Sequence, residues 1–256
     1  MRLNDFKTSL KTAVLAVTIL LLGVGVSAAQ QVNLTAGPTT ATLPDGNTVP
    51  MWGYSCDAVQ PTGSTATCAK LNPAAPGWSP VVITVPTGSN LTISLTNSLT
   101  FPTSGTPTNV PTSLTIVGQL GGGLGMAPVR TPSPTHAAQG ATWPAADPTT
   151  VNNPPPQPDR VQSFATEVAA GATTALTWTA PRAGTYLLES GTHPSIQGPM
   201  GLYGMVVVTD AASGTAYPAV TYNSEVPLLF SEIDPVQNRS VDAAVRTDGF
   251  SETRVW

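Results

Sequence analysis

Val81-Val82-Ile83-Thr84-Val85-Pro86-Thr87-Gly88-Ser89-Asn90-Leu91-Thr92-Ile93-Ser94-Leu95-Thr96 is the stretch that decides the fold. Leu91, Ile93 and Leu95 alternate with hydroxyl residues. Successive side chains of a strand point to opposite faces, so this period of two predicts a half-buried strand with the three aliphatic residues inward. The run 81–85 is a second strand rich in β-branched residues, and Pro86-Thr87-Gly88 supplies the turn between the two.

Working downstream, strands are predicted at 113–117, 161–168, 174–179, 184–190 and 202–209. Leu176 and Trp178 share one face of the third of these. The last is apolar through its middle, which predicts a central strand buried on both faces. The glycines of 118–125 lack the Lys-Ser/Thr ending of a phosphate-binding loop and open no helical pattern, so they read as a flexible connection. Residues 128–158, with Pro154-Pro155-Pro156, are too proline-rich for interior strands and read as a surface insertion carrying His136 and Trp143. With 26 prolines and 23 glycines punctuating short strands, the pattern predicts an all-β Greek-key sandwich rather than a helical bundle.

Upstream, Arg2, Lys7 and Lys11 precede an apolar run over 12–26 and the small residues Ser27, Ala28 and Ala29. This layout predicts a signal peptide over 1–29 and export to the periplasm or outside the cell, and the run is short for a stable membrane span. Residues 30–80 read as an irregular N-terminal arm broken by Pro61, Gly63, Pro73, Pro76 and Gly77. The only cysteines, Cys56 and Cys68, lie in this arm. Export favours a disulfide between them, and no His or further Cys stands beside them to make a metal pair. Charged residues make up 9% of the chain and the net charge is −4, which leaves no basic field for nucleic acid. Beyond Tyr222 the pattern changes. Residues 211–256 read as a linker and the opening of a second domain, with a strand over 226–233 and a short helix over 235–246 that begins at a proline.

The segment Gly184-Thr185-Tyr186-Leu187-Leu188-Glu189-Ser190-Gly191-Thr192-His193-Pro194, followed by Gln197-Gly198 and Met200-Gly201-Leu202-Tyr203-Gly204-Met205, resembles the end of the first cupredoxin-like domain of multicopper oxidases. Residues 81–99 and 161–186 resemble earlier strands of that domain, so the resemblance covers 81–210. It implies a cupredoxin-like fold and, for the family, copper-dependent oxidation of a substrate coupled to dioxygen reduction. Family members place two His-x-His pairs on neighbouring strands, because residues i and i+2 point the same way and offer two imidazoles to one copper cluster. By position these pairs fall here on Thr115 and Val117, and on Glu189 and Gly191. The chain has two histidines in all, too few for a cluster of several coppers. The expectation is that this chain alone binds no copper.

His193 is the candidate metal ligand, with Glu189, Met200 and Met205 in reach along the sequence. The plainer reading is that Pro194 fixes a turn, His193 hydrogen-bonds within it and the methionines fill the core. His136 has no carboxylate or thiol beside it and reads as solvated. Ser190, Ser195, His193 and Glu189 invite a hydrolase reading, but no Gly-x-Ser-x-Gly elbow frames them. Glu232 and Asp234 resemble the polar opening of the family's second domain and read equally well as solvated charges. Two functions follow as expectations. One is the N-terminal unit of an exported multicopper-oxidase-like protein, inactive by itself and partnered by further cupredoxin domains. The other is a stand-alone exported binding or structural module without copper.

Overall fold

Alternation of apolar and polar side chains builds two facing sheets in the computed structural model, which describes residues 30–133, 158–210, 214–217 and 219–250. In chain order the first strands are β1 (Gln30–Thr42), β2 (Thr48–Cys56), β3 (Thr67–Lys70), β4 (Val81–Pro86), β5 (Leu91–Asn97), β6 (Thr100–Phe101) and β7 (Thr108–Asn109). They are followed by β8 (Thr115–Ile116), β9 (Val129–Thr131), β10 (Arg160–Ser163), β11 (Thr173–Trp178), β12 (Gly184–Glu189) and β13 (Tyr203–Thr209). Two short helices, α1 (Pro194–Met200) and α2 (Pro235–Val245), complete the described elements. One sheet runs β11-β5-β1-β2 and the other β3-β4-β13-β12-β8. The pairs β1/β5 and β4/β13 are parallel and the remaining neighbours antiparallel. This is a cupredoxin-like β-sandwich, as the sequence predicts, with the apolar strand β13 at the centre of its sheet.

The turn at Pro86-Thr87-Gly88 carries the chain from one sheet to the other, so β4 and β5 face each other across the core. Val81, Ile83 and Val85 from one side and Leu91, Ile93 and Leu95 from the other are fully buried, together with Trp52, Trp178 and Phe101. The rings of Trp52 and Phe101 lie 5.4 Å apart. Gly121 and Gly122, expected to belong to a flexible connection, instead form a packed cover on Trp178. A Cβ at these positions would sit 2.4 and 2.6 Å from the indole ring, so only glycine lets the backbone approach so closely.

The expectation of an irregular arm over 30–80 is corrected. Val32, Leu34 and Ala36 alternate inward along β1, and the segment supplies three strands. The residues that argued against this lie between the strands: Pro61 and Gly63 in the link from β2 to β3, and Pro73, Pro76 and Gly77 in the link from β3 to β4. The strand predicted at 161–168 shortens to β10, and the one predicted at 226–233 is absent, since no strand pairs with that segment. The helix predicted from Pro235 is present, its first turn capped by the Asp234 carboxylate, which accepts from the Val236 N–H at 2.8 Å. Its Val241 and Val245 are buried in the same core as Leu34 and Trp52. The tail therefore folds back onto this sandwich through α2, where the sequence predicts the opening of a second one. The leader, His136 and Trp143 lie outside the described residues. No helix among the described residues is long and apolar enough to cross a membrane.

Cys56 and Cys68 form the expected disulfide, with Cα atoms 5.7 Å apart. Cys56 ends β2 in one sheet and Cys68 lies on β3 in the other, so the bond ties the two layers together at one edge. Replacing both cysteines by serine is expected to lower unfolding free energy by about 2–4 kcal/mol. Urea denaturation with and without reductant measures it.

Candidate functional site

The positions that resemble the family's ligand pairs converge in space. Thr115 of β8 and Glu189 of β12 are direct cross-strand partners, so their side chains share one face. Gly191 follows two residues after Glu189, and Thr115 stands against it: a Cβ built on Gly191 would lie 2.6 Å from Thr115 Oγ1, 3.3 Å from Ser113 Oγ and 3.4 Å from the Ala165 Cβ. No side chain fits at 191 as the chain is packed. Thr115 is buried and its hydroxyl has no hydrogen-bond partner, while Val117 is 43% exposed.

This donor set does not fit copper. It offers one carboxylate and one neutral hydroxyl where soft metals take imidazole or thiolate. Among the described residues no three His, Cys, Asp or Glu side chains gather as a metal-holding group. Glu189 is half-buried, and burial holds its carboxyl above the ordinary glutamate range. It opens on a cleft of about 350 Å³ lined also by Leu187, Tyr203, Leu229, Phe230 and Glu232.

Behind this pair lies a buried neutral network that the sequence reading missed. Gln197 of α1 is fully buried, and its Oε1 accepts from Ser190 Oγ at 2.6 Å and Thr112 Oγ1 at 2.8 Å. Its Nε2 donates to the Pro111 carbonyl at 2.7 Å. Next to it, Thr192 Oγ1 lies 2.9 Å from both Ser113 Oγ and Ser163 Oγ. Tyr54 donates its hydroxyl to the Ser113 carbonyl at 2.8 Å, and burial pushes its phenol up out of the ordinary range. The signal in the sequence was a density of small hydroxyl residues at 112–113 and 190–192, which says nothing of burial until the loops are brought together.

His193 sits at the entry to α1 in a left-handed conformation, φ 40° and ψ 57°. Its N–H donates to the Gln162 carbonyl at 2.8 Å, and its own carbonyl accepts from the Ile196 and Gln197 N–H groups. Pro194 begins the helix, and Met200 and Met205 are buried. The backbone of His193 thus starts the helix that delivers Gln197. The hydrolase arrangement does not assemble: Ser190 is buried with its hydroxyl committed to Gln197, and Ser195 is exposed on α1.

Comparison with solved structures finds chains of copper proteins. A multicopper oxidase from Pseudomonas thermotolerans matches 72% of this chain and 30% of its own at 16% identity and TM-score 0.40. The copper nitrite reductase from Nitrosomonas europaea matches 72% of this chain and 42% of its own at 16% identity and TM-score 0.37. Fet3p, a multicopper oxidase that functions in iron import, matches 72% of this chain and 24% of its own at 19% identity and TM-score 0.38. The chain therefore spans less than half the length of each. No family model and no curated protein matches it.

Two measurements test this geometry. Gly191→Ala is expected to destabilise the fold by about 1–3 kcal/mol through overpacking against Thr115, and the loss should shrink in the Thr115→Ala background. For Glu189, the folded chain binds the proton more tightly than the unfolded chain does. Its contribution to stability is complete below the ordinary glutamate value and is lost as pH rises through the raised one. Glu189→Gln should therefore raise the thermal midpoint near neutral pH and leave it unchanged below about pH 4.

Proposed function

We propose that this chain is the cupredoxin-like N-terminal unit of an exported multicopper-oxidase-like protein, serving as a structural domain that holds no copper of its own. The observation that carries the reading is the closure of position 191. The chain backbone at Gly191 packs on Thr115 where the family presents imidazoles, and Glu189, Thr115 and Val117 supply no replacement donor set. Oxidation of substrate and reduction of dioxygen then belong to further cupredoxin units. The extended segment before α2 offers them a surface: Val226, Leu228 and Phe230 are 78%, 68% and 88% exposed at alternate positions. The inter-sheet disulfide supports an exported location, since such bonds persist in oxidising compartments.

A second reading has its own support. The burial of Val241 and Val245 in the sandwich core closes the tail on this domain, which favours a stand-alone exported module. The reading frame beyond the Trp256 codon separates the two: His-x-His and His-Cys-His patterns there support the oxidase unit, and a stop codon supports the module.

Both readings agree on metal. The purified chain, dialysed against cupric ion and then against buffer, is expected to retain less than stoichiometric copper by elemental analysis and to consume no oxygen with phenols. Intense blue absorbance with oxygen uptake would overturn the proposal.

A further inference from the structure

The outer face of the β11-β5-β1-β2 sheet follows from the same alternation that fills the core. With Leu91, Ile93 and Leu95 inward, Thr92, Ser94 and Thr96 of β5 must point outward. Register then lays hydroxyl and amide groups beside them. Thr177 pairs with Thr92 and Thr173 with Thr96 on one side, and Asn33 pairs with Ser94 and Thr35 with Thr96 on the other. None of these side chains is charged. Along a strand the outward residues repeat every ~6.7 Å, and across strands every ~4.8 Å. The Thr92–Thr177 and Thr96–Thr173 hydroxyl pairs lie 3.1 and 2.8 Å apart. Each hydroxyl carries one donor and two acceptor sites, so a mutual bond orients the pair and leaves acceptors free.

A groove of about 440 Å³ continues from this face, sharing Thr35 with it and adding Ser55 and Ser98. One wall is the Trp78 indole. Gly53 makes room for the ring, since a Cβ there would meet Trp78 Cδ1 at 2.7 Å. The indole N–H donates to the Gly201 carbonyl at 3.1 Å, and the ring meets Tyr203 edge-on at 5.3 Å. The aromatic wall is therefore fixed in place. The two charged side chains at the rim are hydrogen-bonded to neutral groups: Asp57 accepts the Thr35 hydroxyl at 2.7 Å, and Lys70 Nζ donates to the Ala75 and Gly77 carbonyls.

We propose that this face and its groove bind a neutral polysaccharide chain. A repeating ligand of hydroxyl groups matches a periodic array of hydroxyls and amides, and the apolar face of a sugar ring suits an indole wall. A rigid sheet with pre-oriented hydroxyls pays little ordering cost on binding. An acidic or basic polymer finds no counter-charge among the hydroxyls and amide of the array.

The experiment is depletion of the full chain from solution by microcrystalline cellulose and by an insoluble 1,3-linked glucan, at low and high salt. Retention on one of these that is insensitive to salt is expected. The paired variant Ser55→Arg/Ser94→Arg should lower it at least about tenfold with an unchanged thermal midpoint. Thr173→Arg/Thr177→Arg, which changes only the exposed edge strand, repeats the test should the first variant unfold. The proposal is overturned by no retention on either glucan, by retention that salt abolishes, or by retention undiminished in a folded variant.

Discussion

A single buried amide organises the end of the sandwich where the approach to β8 meets the end of β12. Gln197 gathers two hydroxyls at its oxygen and a backbone carbonyl at its nitrogen, in an interior where an unpaired polar atom costs about 1–3 kcal/mol. Three separate pieces of chain are thereby fixed to one another: the approach to β8, the end of β12 and helix α1. Each piece can occupy this space only because the others satisfy its polar groups. The network is neutral throughout, so it needs no counter-ion and is insensitive to salt.

That arrangement decides what the neighbouring positions can do. With the end of β12 held down on Thr112, and Thr192 tied to Ser113 and Ser163, the backbone at 191 lies on the Thr115 hydroxyl. The space around position 191 is taken up by backbone and hydroxyls. Glu189, the one ionisable group of the set, faces the cleft, and its partial burial raises its carboxyl above the ordinary glutamate range.

The molecule presents two surfaces of opposite character. The extended strap before α2 shows apolar side chains at alternate positions over a strand-free backbone, while the sheet of β1, β2, β5 and β11 shows hydroxyls and amides. In the strap the exposed residues include aliphatic and aromatic side chains, and in the sheet the outward residues are polar because period-two alternation spends their aliphatic neighbours on the core.

The sequence alone determined the sandwich class, the inward faces of β5 and β11, the centrality of β13 and the start of α2, because alternation, apolar continuity and a proline before a helical run are local signals. It also determined which residues stand at 115, 117, 189 and 191. Only the tertiary structure decided the fate of 30–80, where Pro61, Pro73 and Pro76 fall in the links between strands rather than breaking them. The same holds for 118–125, whose glycines serve close packing on Trp178 rather than freedom. The buried network was illegible for a physical reason: serine, threonine and glutamine carry the same local pattern on a surface loop as in a core, and only the meeting of distant segments removes the water that would otherwise bond to them.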